Sequence, residues 1–242
     1  MIPKIIHYCW FGRGEMPELV LHCIDSWKRY LPDYEIRLWN EGNFDVTLYQ
    51  YSAEAYKERK YAFVSDVCRL YALKEFGGVY LDTDVQMLKT LDEFLFKHTA
   101  FSGIEDNNYL TSGLMASTKG GQWVTDLLAL YDNRRFRQID GSLDMTTNVE
   151  MITSYMKNRG LVIQNSFQEI EGYCAIYPSE YFCPKSWKTQ EINITTNTYC
   201  IHHFAGSWLP SRKKWNKYEF LLKLVGAKNF ERLAAIKRKF KS

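Results

Sequence analysis

Phe76-Gly77-Gly78-Val79-Tyr80-Leu81-Asp82-Thr83-Asp84 is the stretch on which the reading of this chain turns. A helical run stops at two glycines, a short apolar strand follows, and two carboxylates arrive as the strand runs out. On extended backbone, side chains at i and i+2 point the same way. The spacing therefore predicts that Asp82 and Asp84 converge on one point, with Thr83 turned aside. Two carboxylates that close repel unless a proton or a cation lies between them. A divalent ion that keeps open positions for phosphate oxygens meets that demand, and Mg²⁺ or Mn²⁺ are the oxygen-preferring choices. An acidic turn after a strand is the plainer reading of an isolated Asp-x-Asp, and the surrounding sequence argues against it.

Upstream, Lys60 to Phe76 reads KYAFVSDVCRLYALKEF, with Phe63, Val67, Leu70, Tyr71 and Phe76 at helical spacing and Gly77 as the stop. Tyr61, Phe63, Leu70 and Leu73 supply a buried face. Asp66 and Arg69, three apart, share another. That pair is either an ordinary surface ion pair, worth little, or the border of the pocket holding Asp82 and Asp84. At the start of the chain, residues 2–12 (IPKIIHYCWFG) read as a buried strand entering the turn Gly12-Arg13-Gly14. Ligands of open α/β sheets bind beyond the carboxyl ends of strands, where this strand delivers Trp10 and Phe11. Trp10 is either a stacking platform for a nucleobase or a core residue.

A third cluster, Tyr199-Cys200-Ile201-His202-His203-Phe204-Ala205-Gly206-Ser207-Trp208, contributes two imidazoles. Neutral imidazole suits Mn²⁺ or Zn²⁺, and a histidine after a strand is also commonly structural.

Taken together, the segments 2–12, 62–85 (AFVSDVCRLYALKEFGGVYLDTDV) and 202–208 (HHFAGSW) resemble the DXD-containing sugar transferases of glycosyltransferase family 32. That group includes bacterial capsule and lipopolysaccharide transferases; the clostridial glucosylating toxins are more distantly similar. Ser65, Asp66, Arg69, Gly77, Gly78, Tyr80, Asp82 and Asp84 carry the most specific part of the resemblance. The resemblance implies a GT-A-type, Rossmann-like α/β fold over residues 1–208. Trp10 would stack on the base of a nucleotide sugar, and Asp66 and Arg69 would hold the ribose and donor sugar. Asp82 would contact ribose or the metal's water, and Asp84 would ligate Mn²⁺ or Mg²⁺ directly. His203, followed by Gly206 in an H-x-x-G pattern, is implied as a further metal ligand in preference to His202. Ser207 and Trp208 would cover the diphosphate. Asn107, Asn108, Thr111, Ser112, Thr146, Thr147 and Asn148 would border the sugar and acceptor, with Asn148 and Asn108 singled out. A UDP-sugar is favoured as donor over a GDP-sugar. The implied reaction retains anomeric configuration by same-face attack, the leaving diphosphate taking the acceptor's proton. The acceptor would be a saccharide or a lipid-linked oligosaccharide used in surface polysaccharide synthesis.

Composition agrees with one α/β unit: 242 residues, 46% hydrophobic and 24% charged. The six cysteines lie in apolar runs without metal-type C-x-x-C spacing, which reads as reduced thiols and a cytoplasmic protein. The sequence suggests neither a signal peptide nor a membrane span. Net charge is asymmetric. Residues 209–242 hold eleven Lys/Arg and two Glu, a net of +9, while 1–208 hold twenty basic and twenty-six acidic residues, a net of −6. Apolar residues from Tyr218 to Phe240 recur at helical spacing in that tail. A basic amphipathic helix reads as an element touching an anionic membrane surface at the inner face of the membrane, or equally as a terminal helix packed on the domain. Nucleic acid is disfavoured, since no DNA- or RNA-binding motif accompanies the charge.

Elsewhere the pattern predicts a helix over 17–30, a strand over 34–39, a helix near 90–97 and strands near 99–104 and 111–116. Helices near 121–132 and 146–158 and short strands to about 201 complete it, arguing for a largely parallel sheet. The sequence thus favours a metal-dependent hexosyl transferase over two rivals. A haloacid-dehalogenase-like phosphatase also uses Asp-x-Asp, but that motif continues with Thr or Val where this chain has Gln86. A non-catalytic membrane-surface or polyanion-binding protein leaves the acidic pair and the histidines without a role.

Overall fold

The computed structural model describes residues 1–106 and 109–206. The chain runs β1 (Ile5–Cys9), α1 (Glu18–Tyr30), β2 (Glu35–Trp39), α2 (Gln50–Lys57), α3 (Tyr61–Phe76), β3 (Gly78–Leu81), β4 (Val85–Met87) and α4 (Asp92–Lys97). It continues through β5 (Ala100–Glu105), β6 (Tyr109–Leu110), β7 (Leu114–Ser117), α5 (Gln122–Ala129), α6 (Asn148–Lys157), β8 (Gln168–Ile170), β9 (Cys174–Tyr177), α7 (Ser179–Phe182) and β10 (Cys200–His202). The basic segment 209–242 lies outside the described residues.

The main sheet has the order β2-β1-β3-β7-β5-β9-β8, with β6 added beside β5. β1 pairs in parallel with both β2 and β3, and β5 with β9. β7 is antiparallel to β3 and to β5, and β8 to β9. The sheet is therefore mixed, and the expectation of a largely parallel one fails at β7. The link from Glu105 to Leu114 is too short for the crossover that a parallel pair requires. Alternate residues of the central strands feed two cores. Val79 and Leu81 of β3 and Leu114 and Ala116 of β7 join Trp27, Phe101 and Phe182 on one face. Tyr80 and Met115 join Leu70, Trp123 and Phe136 on the other.

Gly77 and Gly78 allow α3 and β3 to meet. Their φ values are 66° and 111°, a region that β-carbon-bearing residues enter only at a cost. A β-carbon on Gly77 would come 2.5 Å from the Lys119 amide nitrogen, and one on Gly78 2.5 Å from the Ile5 carbonyl oxygen. His7 secures the same corner. Its Nδ1 accepts from Trp39 Nε1 at 3.0 Å, so the ring proton sits on Nε2, which donates to the Gly77 carbonyl at 2.8 Å. Burial pushes the His7 pKa down to about 4, against the pull of that carbonyl.

This corner also sets the level of the site. From Gly77, eight residues back along α3 to Arg69 span roughly 12 Å, and five forward along β3 to Asp82 roughly 16 Å. The middle of the helix is thereby brought alongside the end of the strand. All six cysteines are buried free thiols. No helix among the described residues is long and apolar enough to cross a membrane.

Candidate active site

β3 ends at Leu81, and Asp82-Thr83-Asp84 forms a turn closed by the Val85 amide on the Asp82 carbonyl at 3.0 Å. The two aspartates are thus brought together by a turn and not by extended i, i+2 geometry. They meet at one imidazole. His202 Nε2 lies 3.3 Å from Asp84 Oδ1 and 3.9 Å from Asp82 Oδ2.

The ring is delivered by a short ribbon separate from the main sheet, β10 antiparallel to β4, with His202 opposite Val85. Here the structure departs from the sequence expectation. Successive residues of a strand face opposite sides, so only one of the two histidines can face the aspartates. His202 does. His203 turns away, its Nε2 2.9 Å from Gln86 Oε1, while its backbone amide donates to the Asp84 carbonyl. The H-x-x-G spacing does not reveal where β10 ends, and that end selects the ring.

Gly113 makes room for this meeting. A β-carbon there would fall 2.8 Å from His202 Cε1, 2.9 Å from its Nδ1 and 3.2 Å from Asp82 Oδ2. The Gly113 carbonyl also accepts from the Asp82 amide at 2.8 Å. Phe204, with φ of 56°, lays its ring on the imidazole at 4.3 Å between centroids. Two carboxylates and an imidazole with ligand atoms within 4.8 Å of one another form a donor set that suits a divalent metal ion. Gly113 supplies the space, so the residues fit the ion.

Burial works against the Asp84 carboxylate, yet the adjoining His202 and the Ala205 amide, 2.7 Å from Oδ2, hold its pKa down to about 2. His202 is also opposed by burial, and Asp84 raises its pKa well above the ordinary histidine value. A proton or a divalent cation answers the same electrostatic demand at this point.

Behind the turn lies a buried ionic network. Arg69, with a side chain only 5% exposed, contacts Asp66 at 2.8 Å and Asp82 at 3.3 Å. It also donates to the Ser112 carbonyl at 2.7 Å and lies over the Tyr80 ring at 4.5 Å. Tyr80 donates its hydroxyl to Asp82 Oδ1 at 2.9 Å. The surface-pair reading of Asp66 and Arg69 is therefore wrong, because α3 is buried on nearly every side. Burial pushes the Asp66 carboxyl up to about 6, against the pull of Arg69. Asn148, buried at the start of α6, also lowers that pKa. Its Oδ1 receives the Tyr131 hydroxyl at 3.4 Å, and its amide Nδ2 is directed to the Asp66 carboxylate without closing a hydrogen bond of ordinary geometry.

Trp10 follows β1, at the same edge of the sheet as Asp82, half-buried, with Nε1 donating to the Gly14 carbonyl at 2.7 Å. Thr147 is occupied by helix capping, in a reciprocal box with Glu150. Ser207, Trp208, Asn107 and Asn108 lie outside the described residues.

Sequence reasoning missed three residues of this region. Gly113 sits in a Thr-Ser-Gly-Leu run with no periodic signal. Glu105 ends β5 with Oε2 3.7 Å from His202 Nδ1. Lys185 donates its ammonium to the His203 carbonyl at 2.7 Å; burial lowers its pKa while Asp84 opposes that shift.

Residues 17–101 match the family described as glycosyltransferase sugar-binding region containing DXD motif. Inositol phosphoceramide mannosyltransferase 3 of Schizosaccharomyces pombe is 36% identical over 115 residues, which are 44% of this chain and 32% of that protein. The uncharacterized glycosyltransferase L373 of Acanthamoeba polyphaga mimivirus is 26% identical over 231 residues, 88% of this chain and 86% of that one. Among solved structures, the PaToxG glycosyltransferase superposes with a TM-score of 0.54 at 22% identity, covering 66% of this chain and 71% of its own, a likeness of fold. The chain spans about a third of the length of the fission-yeast relative.

Proposed function

We propose that this chain, whose residues 17–101 match the DXD-containing glycosyltransferase sugar-binding region, moves a hexose from a nucleoside-diphosphate sugar to a saccharide or lipid-linked acceptor, with retention at the anomeric carbon. The observation that carries this reading is the convergence of Asp82, Asp84 and His202 beside the buried Asp66–Arg69 pair. In this reading Asp84, Asp82 and His202 hold Mn²⁺ or Mg²⁺. A divalent ion bound there supplies charge neutralisation for a departing diphosphate.

The protein's own groups do the positioning. Arg69 fixes the Asp66 and Asp82 carboxylates from behind, which leaves their remaining lone pairs for the ribose and sugar hydroxyls. Trp10 offers a ring to the base at the same sheet edge, and the Asn148 amide beside Asp66 donates toward the sugar. The Lys185 ammonium turns from the His203 carbonyl to a phosphate oxygen. In the absence of a nucleophile motif, the leaving diphosphate accepts the acceptor's proton.

UDP-glucose, UDP-galactose and UDP-N-acetylglucosamine are the favoured donors, and the mannosyltransferase name of the fission-yeast relative adds GDP-mannose. The test is a melting-temperature series with these four donors, with and without Mn²⁺. A ligand at one hundred times its Kd adds about 2.7 kcal/mol of stability. One donor should raise the melting temperature only when Mn²⁺ is present. A flat series with all four, with and without metal, would rule this reading out.

A further inference from the structure

Two buried polar atoms face each other behind the metal-facing edge of the imidazole, His202 Nδ1 and Glu105 Oε2, and neither closes a hydrogen bond of ordinary geometry, although the Cys183 thiol also lies beside the ring. They are 3.7 Å apart. Unpartnered buried polar atoms are costly, so two in mutual view call for a state that satisfies both. Binding of an ion at Nε2 defines that state. A ligating imidazole presents a lone pair at one nitrogen, so its single ring proton resides on the other. With Nε2 directed at Asp84 and Asp82, the proton falls on Nδ1, and Glu105 Oε2 is the carboxylate oxygen facing it.

We propose that Glu105 is a positioning residue. It accepts the Nδ1 proton of His202, holds the ring in the tautomer whose Nε2 lone pair faces Asp82 and Asp84, and sets the ring's orientation for the ion. A carboxylate or carbonyl behind a ligating histidine commonly tunes both affinity and geometry. Glu105 is the last residue of β5, and its backbone is paired with Tyr109 of β6. Phe204 packs against the imidazole, and Gly113 leaves room beside its Cε1 and Nδ1. An ordinary charge-assisted hydrogen bond requires the two atoms to approach by a further ~0.8 Å from 3.7 Å. The buried thiol of Cys183 also borders His202 and is the competing acceptor. A neutral thiol is a weaker acceptor than a carboxylate, which favours Glu105.

This inference rests on the metal reading above, and the experiment separates the two. The full chain is titrated with Mn²⁺ in the absence of nucleotide, free ion being followed by electron paramagnetic resonance, for the wild type, Glu105→Ala, Glu105→Gln and Cys183→Ala. Glu105→Ala should weaken Mn²⁺ binding 10- to 100-fold. Glu105→Gln, which keeps an acceptor oxygen, should recover most of that loss, and Cys183→Ala should change it less than twofold. In ¹⁵N-histidine spectra of the Zn²⁺-loaded protein, the wild-type His202 should carry its proton on Nδ1, and Glu105→Ala should lose that protected signal. Melting curves establish that each variant is folded, and Glu105→Gln keeps the shape of the original should the alanine variant not fold. Mn²⁺ bound by the wild type with unchanged affinity in both Glu105 variants overturns the role of Glu105 alone. A dominant effect of Cys183→Ala reassigns the acceptor and overturns it too. No Mn²⁺ binding by the wild type overturns the metal reading and this inference together.

Discussion

The absent side chain of Gly113 faces the imidazole of His202, such that a β-carbon would stand 2.8 Å from Cε1 and 2.9 Å from Nδ1. The ring reaches the aspartates because this strand entry is bare. Gly113→Ala should therefore push the ring or the Asp82 carboxylate aside. Overpacking of this kind costs about 1–3 kcal/mol, so Mn²⁺ affinity should fall roughly tenfold or more while the protein remains folded. Mn²⁺ titration beside a melting curve checks it, and an unchanged affinity would show that the ring does not need this space.

The two histidines separate cleanly by experiment. His202→Ala should weaken Mn²⁺-supported nucleotide binding strongly, and His203→Ala, which removes only the contact with Gln86, should weaken it little. Asp84→Ala should abolish transfer without unfolding the chain. Dominance of His203 over His202 in a calorimetric titration would return the ligand to the residue that the H-x-x-G spacing suggests.

Arg69 answers two carboxylates in a buried setting. Arg69→Met should destabilise the fold by about 3–5 kcal/mol, since it leaves Asp66 and Asp82 without their cation. The double variant Asp66→Asn/Arg69→Met should recover part of that loss. Urea unfolding of the two variants decides the point, and additive losses would argue against a coupled network.

His7 makes stability depend on pH. Its folded pKa of about 4 lies below the usual value near 6.5, so the unfolded chain takes up the proton first as pH falls. The contribution is complete above about pH 6.5 and is lost as pH drops toward 4, by about 3 kcal/mol in this buried limit. Urea midpoints should decline across that window for the wild type. They should decline less for His7→Gln, which can still bridge Trp39 and Gly77.

The basic segment 209–242 supports a prediction from charge alone. With a net of +9, the full chain should sediment with anionic vesicles at low salt and be released at high salt. A chain ending near residue 210 should stay in the supernatant and retain donor binding. A full chain that ignores anionic vesicles ends the idea of a membrane-surface role.

Most of the N-terminal half was legible because period and punctuation coincide there: β1, α1 after Pro17, β2, and α3 ending at Gly77 each carry their own local signal. The antiparallel part of the sheet was not. Whether β7 inserts between β3 and β5 depends on pairing and linker length, which hydrophobic pattern does not encode. At the site, Asp66, Arg69, Asp82 and Asp84 stood out because they share one short block. Glu105, Gly113 and the choice of His202 over His203 are set by contacts between segments distant in sequence. The Gln86–His203 contact spans 117 positions. Burial of Arg69 was equally hidden, since an i, i+3 ion pair looks the same on a wet or a dry face.

The β4–β10 ribbon is a clasp with one jaw on each side of the domain's midpoint. Three residue pairs join segments on either side of the whole antiparallel half of the sheet. An ion gripped between Asp84 and His202 would tie those jaws, so metal and chain closure become one thermodynamic event. A nascent chain that has not yet delivered β10 would hold its aspartates without the ring. A separately supplied strand bearing the sequence of 198–206 could then restore ion binding to a chain lacking it, turning metal affinity into a readout of completed folding.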